Sequence, residues 1–208
     1  MRILRAALAA AAALALAGCF SLFPKSAPAQ LYTFQVTTPA SGADVSRSFS
    51  VQRLPTGFAR EADSDQILTT TGDQAAYIAG ARWVAPASQL FDQAETVAFE
   101  RSAGPVRLLR TGDASAAPLS LRLDVQTFEA RYLAGPTAAP TVVVSVHALL
   151  VAARTRKVVD DQVFDSQQAA GDNRVGAIVT AFNAATTDVL SRIVEWTARE
   201  GAPAAAAS

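Results

Sequence analysis

The chain is predicted to fold as α+β, with a mostly antiparallel sheet and two main helices packed on one face, on three observations. Residues 119–126 alternate apolar and polar side chains with period two. Residues 86–101, and a stretch of about 25 residues from 175 onward, carry apolar residues at helical spacing instead. Each helical stretch follows a run of strands rather than alternating with single strands, the order expected of segregated helices and sheet.

Taken in order, Leu31-Tyr32-Thr33-Phe34-Gln35-Val36 reads as a first strand and Ser48 to Leu54 as a second, closed by Pro55, Thr56 and Gly57. Gln66 to Tyr77 reads as a hairpin turning at Gly72-Asp73. Leu90, Phe91, Ala94, Val97 and Ala98 then define a helix from Pro86 to Arg101, with Pro86 in the first turn where its missing N–H costs nothing. Gly104-Pro105 ends it, and Val106 to Leu109 is extended again.

Leu119, Leu121, Leu123 and Val125 against Ser120, Arg122, Asp124 and Gln126 describe a strand with one buried face. Thr141 to Val151 and Lys157 to Phe164 complete a three-strand meander, joined by the loop 135–140 and a turn at 154–156. Asp172 or Asn173 can cap a closing helix, whose buried face runs through Val175, Ile178, Val179, Phe182, Val189, Ile193 and Trp196. From Gly201 onward no apolar periodicity remains, so residues 200–208 are expected to fray as a disordered tail.

The N-terminus is an address rather than part of the fold. Arg2 and Arg5 precede an apolar run from Ala6 to Ala17, the charged and hydrophobic regions of a secretory signal. At about 12 residues the run is too short for a mature transmembrane span, which needs roughly 20. It ends in Leu16-Ala17-Gly18-Cys19, which resembles a lipobox: small residues fit a narrow peptidase site, and Cys19 supplies a thiol for acylation. Residues 1–18 are therefore expected to be a lipoprotein signal peptide, with acyl chains on Cys19, the chain's single cysteine. Two or more such chains hold a protein stably at a membrane. Residues 19–30, with Pro24 and Pro28, form a tether reaching roughly 35 Å if extended. One domain is expected over 31–199.

Composition narrows the function. Lys plus Arg and Asp plus Glu both number 18; without Arg2 and Arg5 the mature balance is about −2. A nucleic-acid binder would carry a clustered basic surplus instead. The single histidine, His147, shares a strand face with Val143, Ser145, Leu149 and Val151, a structural setting more than a catalytic one. No G-x-S-x-G, P-loop or dinucleotide fingerprint occurs. The acidic groups Asp160-Asp161-Asp165 and Asp63-Asp65 are read as solvated turn residues, not a metal site. The expectation is a protein that is not an enzyme and holds neither metal nor cofactor.

The lipobox, the Pro-containing tether, Leu31-Tyr32-Thr33-Phe34, and Tyr77-Ile78-Ala79-Gly80-Ala81-Arg82-Trp83 ahead of the Pro86 helix together resemble the ABC-type transport auxiliary lipoproteins, the group that includes paraquat-inducible protein C. The resemblance implies an outer-membrane, lipid-anchored protein on the periplasmic face, partnered with a mammalian-cell-entry (MCE) domain protein, a permease and an ATPase in lipid transport. Phe20, in the place where an aspartate retains lipoproteins at the inner membrane, agrees with that address. The family transfers no catalytic residues. Tyr77, Arg82 and Trp83 are a candidate partner or self-association surface, since aromatic residues and arginine are enriched at interface hot spots. The competing reading sets Trp83 in the helix-sheet core. Homo-oligomerisation is expected to be open to such a protein. An alternative function is a structural tether or activator of another envelope assembly, such as a cell-wall synthase. Direct lipid carriage would need an apolar cavity of a few hundred Å³.

Overall fold

The computed structural model describes residues 28–37, 48–110, 112–113 and 116–207. The expected signal peptide, with Leu16, Ala17, Gly18 and Cys19, lies outside the described residues, as does most of the expected tether. The elements are β1 (Gln30–Tyr32), β2 (Phe49–Arg53), β3 (Gly57–Phe58), β4 (Gln66–Thr71), β5 (Gln74–Trp83), α1 (Ala87–Arg101), β6 (Val106–Leu109), β7 (Leu119–Arg131), β8 (Thr141–Ala152), β9 (Val158–Ala169) and α2 (Val175–Ala206).

The meander is the backbone of the architecture. β7 pairs antiparallel with β8 along its length, and β8 with β9. The other edge of β7 is too long for one partner. β2, β3 and β4 meet it in succession, each in a short parallel ladder, at Leu119–Leu121, Asp124–Val125 and Ala130–Arg131. β6 extends the sheet beyond β2, and β5 with β1 extends it beyond β4. The long ladders are thus antiparallel, while the short ones between β7 and the N-terminal strands are parallel.

Alternation along β7 carries a phase change that eight residues of sequence do not show. Leu119, Leu121, Leu123 and Val125 are buried, then a bulge between Val125 and Thr127 moves the buried set to Phe128 and Ala130. A bulge adds one residue to one strand and so swaps which parity faces the core. On β8 the matching residues are Val142, Val144, Val146, Ala148 and Leu150, all fully buried.

Both helices cover this face. Phe182 of α2 stacks on Phe128 at 4.7 Å between ring centroids, Phe58 sits beside Phe128 at 5.5 Å, and Phe91 of α1 meets Phe58 at 6.1 Å. One apolar cluster therefore joins α1, the sheet and α2. No helix among the described residues is long and apolar enough to cross a membrane.

Several boundaries and placements differ from the sequence expectation; among them, β5 runs on to Trp83 and β9 to Ala169. The first strand stops at Tyr32, and residues 33–37 leave the sheet as a strap across α2. Phe34 and Val36 are buried there, and the N–H groups of Gln35 and Thr37 donate to Asn183 Oδ1 and Thr187 Oγ1 at 3.0 and 3.2 Å. Neither Asp172 nor Asn173 caps α2. The N-cap is Arg174, whose N–H donates to Asp172 Oδ1, while Asn173 Oδ1 accepts from the Tyr132 hydroxyl and its Nδ2 donates to the Pro136 carbonyl. Asp160, Asp161 and Asp165 belong to β9 rather than to a turn. The expected disordered tail is instead helix up to Ala206. Gly201 explains this: it is buried, and a Cβ there would lie 2.8 Å from Phe49 Cε2 and 3.1 Å from Leu119 Cδ1. Absence of a side chain lets the last turns of α2 press onto β2 and β7, so contact with the sheet replaces apolar periodicity as what holds them.

Candidate partner-docking site

The block from Tyr77 to Trp83 is the C-terminal half of β5. β4 and β5 form a hairpin in register from Thr71↔Gln74 to Leu68↔Tyr77, after which pairing resumes only at Gln66↔Arg82. Residues 78–81 therefore bow out of the ladder against Ile67 alone. Gly80, at φ +70°, makes the bow, because an L side chain rarely adopts that backbone conformation. Past the bow, β1 takes up the outer edge of β5 at Ala81–Trp83.

The bow sorts the three candidate residues. Trp83 goes inward: it is 2% exposed and packs edge-on against Phe34 and Phe182, each at 5.3 Å. It is not part of a docking surface; a large apolar ring gains more from leaving water than from waiting for a partner. Arg82 points outward, with Nη1 2.9 Å from both Asp65 carboxylate oxygens. Tyr77 remains 41% exposed, and its hydroxyl donates to the Glu61 carbonyl at 2.9 Å. What the sequence block offers to solvent is therefore Tyr77, the bow and a neutralised Arg82.

A second polar feature lies where α1 meets β2. Arg53 Nη2 is 3.2 Å from Asp92 Oδ2, its Nη1 donates to the Asp92 carbonyl at 3.3 Å, and Thr56 Oγ1 donates to Asp92 Oδ1 at 2.7 Å. One turn on, Glu95 is wholly buried and accepts no hydrogen bond from the described residues; Arg53 Nη1 stands 3.7 Å from its Oε2. Burial pushes this carboxyl up to about 8, against the pull of Arg53 and with a further push from Asp92. It is therefore neutral at pH 7. In the sequence Glu95 looks like one more polar residue of an amphipathic helix. The missed signal was its position midway between Phe91 and Phe99, four residues from each, so that all three share one buried row.

Beside this cluster runs a cleft of about 650 Å³ lined by Thr96, Phe99, Glu100, Arg107, Leu108, Arg110, Gly112 and Asp113. Its size would admit a small ligand, but Arg110 pairs with Glu100 at 3.3 Å across it. That charged lining disfavours an acyl chain, which gains nothing beside groups that must stay hydrated. On the opposite sheet face His147 Nε2 meets Asp161 Oδ2 at 3.2 Å. Asp160 turns the other way and accepts from Trp196 Nε1 at 2.8 Å, so the two acidic neighbours serve different faces.

Residues 32–194 match the family described as ABC-type transport auxiliary lipoprotein component. Among solved structures, protein XCC0632 from Xanthomonas campestris is similar with a TM-score of 0.72 and 25% identity, over 83% of this chain and 96% of that one. An uncharacterized protein shares the fold at a TM-score of 0.62 and 12% identity, over 85% of this chain and 100% of its own. CT253 from Chlamydia trachomatis does so at 0.51 and 13%, over 74% and 96%. No curated protein matches the chain.

Proposed function

The chain belongs to the ABC-type transport auxiliary lipoprotein family, and from that premise we propose that it is a non-catalytic accessory lipoprotein, anchored through Cys19 on the periplasmic face of the outer membrane. It docks on the MCE-domain protein of a lipid-transporting system whose permease and ATPase supply passage and energy.

The family match over residues 32–194 carries this reading. Three features support the finer parts. The sequence leading to Cys19 has the residue types an acylated signal requires, with Phe20 rather than an acidic residue after it. The helices close over one sheet face with an apolar cluster of side chains, which favours surface contact over carriage within the core. The volume found beside α1 has a charged wall, which suits a protein contact better than carriage of lipid.

The test is a mild-detergent pull-down of the full-length lipoprotein from envelope membranes, followed by binding assays with the purified MCE-domain protein of the same organism. Saturable binding, weakened by surface changes around Tyr77 and retained by the folded Arg82→Ala variant, is the expected result. Recovery of a cell-wall synthase with no binding to the MCE-domain protein would overturn the reading in favour of an activator or tether.

A further inference from the structure

We propose that the loop between β7 and β8, residues 132–140, rests on the lipid surface that holds Cys19, with the Leu133 side chain inserted among zwitterionic headgroups; the inference rests on the acyl anchoring proposed above. From Tyr132 to Pro140 no residue is charged. Leu133 is 72% exposed, and Ala134, Pro136, Thr137 and Ala139 are exposed beside it. The loop is also braced. Tyr132 N–H donates to the Thr70 carbonyl at 2.8 Å and its hydroxyl to Asn173 Oδ1 at 2.7 Å, Ala138 N–H donates to the Gly135 carbonyl at 3.2 Å, and Ala170 N–H to the Pro140 carbonyl at 2.9 Å. Leu133 is thus held out into water by a fixed frame, and a preformed surface loses little freedom on contact.

Chain direction sets which end of the sheet the anchor reaches. β1 is parallel to β5, β5 antiparallel to β4, and β4 parallel to β7. β1 therefore runs opposite to β7, and followed back from Tyr32 to Pro28 the chain heads for the end where β7 gives way to the loop. Nine residue steps lead from Pro28 back to Cys19, a span of at most roughly 30 Å. The loop lies within it: β7 is three ladders from β1, at about 4.8 Å each. The other end does not. β7 alone is 13 residues, about 40 Å, and Leu119 and the turn at residues 154–157 lie at its far end.

The chemistry of this end suits neutral lipid. Arg131 is paired with Glu129 at 2.6 Å and Arg174 with Asp172 at 3.8 Å. Asp73, on the turn between β4 and β5 beside the loop, adds a carboxylate that an anionic surface would repel. The basic residues Arg154, Arg156 and Lys157 stand at the opposite end, in the turn between β8 and β9. Contact is shallow, because backbone amides carried into hydrocarbon would go unpaired; only Leu133 and its apolar neighbours pass the headgroups. Burying one leucine side chain favours the contacting orientation about tenfold or more. The sheet then stands on the membrane with the turn between β8 and β9 pointing away from it.

The experiment uses the full-length acylated protein, purified from envelope membranes and added to preformed phosphatidylethanolamine–phosphatidylcholine vesicles. Cys19 is the single cysteine, so a dye can be placed at Thr137→Cys on the loop or at Val158→Cys, 58% exposed at the far end of the sheet. Brominated acyl chains are expected to quench the dye at 137 and not at 158, and aqueous iodide to reach 137 about tenfold less than 158. Adding Leu133→Asp returns the loop dye to the iodide access seen at 158, and raised salt changes nothing, because the contact is apolar. Circular dichroism checks that each variant is folded. Equal iodide access at the two positions, indifference to Leu133→Asp, or shielding from iodide without quenching by brominated lipid, the mark of a protein cover, overturns the proposal. Flotation with the vesicles is scored separately: floating protein with a wet loop sinks this inference alone, and protein that does not float sinks the anchoring with it.

Discussion

Replacing Glu95 with Gln should abolish a pH dependence that burial of this one carboxyl imposes on the fold. The side chain is fully buried, and burial raises its carboxyl from 4.5 to about 8, with Arg53 on β2 pulling it down and Asp92 on α1 pushing it up. The unfolded chain releases the proton near pH 4.5, while the folded chain keeps it to about pH 8. Between those values folding takes up a proton, so unfolding free energy falls as pH rises, by up to about 1.4 kcal/mol per unit. The stabilising contribution is complete below pH 4.5 and is spent once pH passes 8. From pH 5 to 7.5 the loss is about 3 kcal/mol.

Glu95→Gln keeps the size and stays neutral throughout. Its amide hydrogens face Arg53, which gives a constant offset, so the quantity to read is the change in the difference between variant and parent. Urea unfolding followed by fluorescence suits the protein, because Trp83 and Trp196 are both buried. The variant should gain on the parent by about 3 kcal/mol between pH 5 and 7.5. Parallel profiles would refute the argument, since they would mean that Glu95 is ionised in the folded state or hydrated despite its position. Arg53→Met, which removes the downward pull, should carry the upper end of the parent's slope above pH 8.

Trp83→Ala removes a ring that packs against Phe34, Phe128 and Phe182, and should destabilise by about 3–5 kcal/mol with loss of near-UV circular dichroism. Arg82→Ala, which breaks a half-exposed pair with Asp65, should cost no more than about 1 kcal/mol in the same urea assay. Gly201→Val drives a side chain into Phe49 and Leu119. It should lower stability by about 1–3 kcal/mol, read as a reduced calorimetric midpoint and earlier hydrogen exchange in the last turns of α2.

The parts legible in the sequence are those where one face is buried and the pattern runs long. Leu119 to Val125, Thr141 to Val151 and the apolar row from Ile178 to Trp196 announce their strands and helix, because period two and period 3.6 repeat often enough to be distinguished. Short or interrupted elements hide. β3 is two residues, and residues 33–37 look like strand but hydrogen-bond to helix side chains 148 and 150 positions away. The C-terminal turns of α2 depend on a contact between Gly201 and Phe49 that no local window contains.

The candidate site was legible in position and not in orientation. Tyr77 to Trp83 stands out as a block, but which of its residues faces the core turns on the bow at Gly80, a parity change set by tertiary pairing. Glu95 is hard to read for a related reason: a carboxylate on an amphipathic helix is ordinarily solvent-facing, and its spacing of four from Phe91 and from Phe99 gains meaning only once Phe99 is known to be buried.

The measurement that bears most directly on a membrane-anchored docking protein is the intact mass of the exported chain extracted from envelope membranes. The account predicts a polypeptide beginning at Cys19 that carries a thioether-linked diacylglycerol. A retained leader, or a free thiol at Cys19, would leave the domain without the anchor on which its proposed work depends.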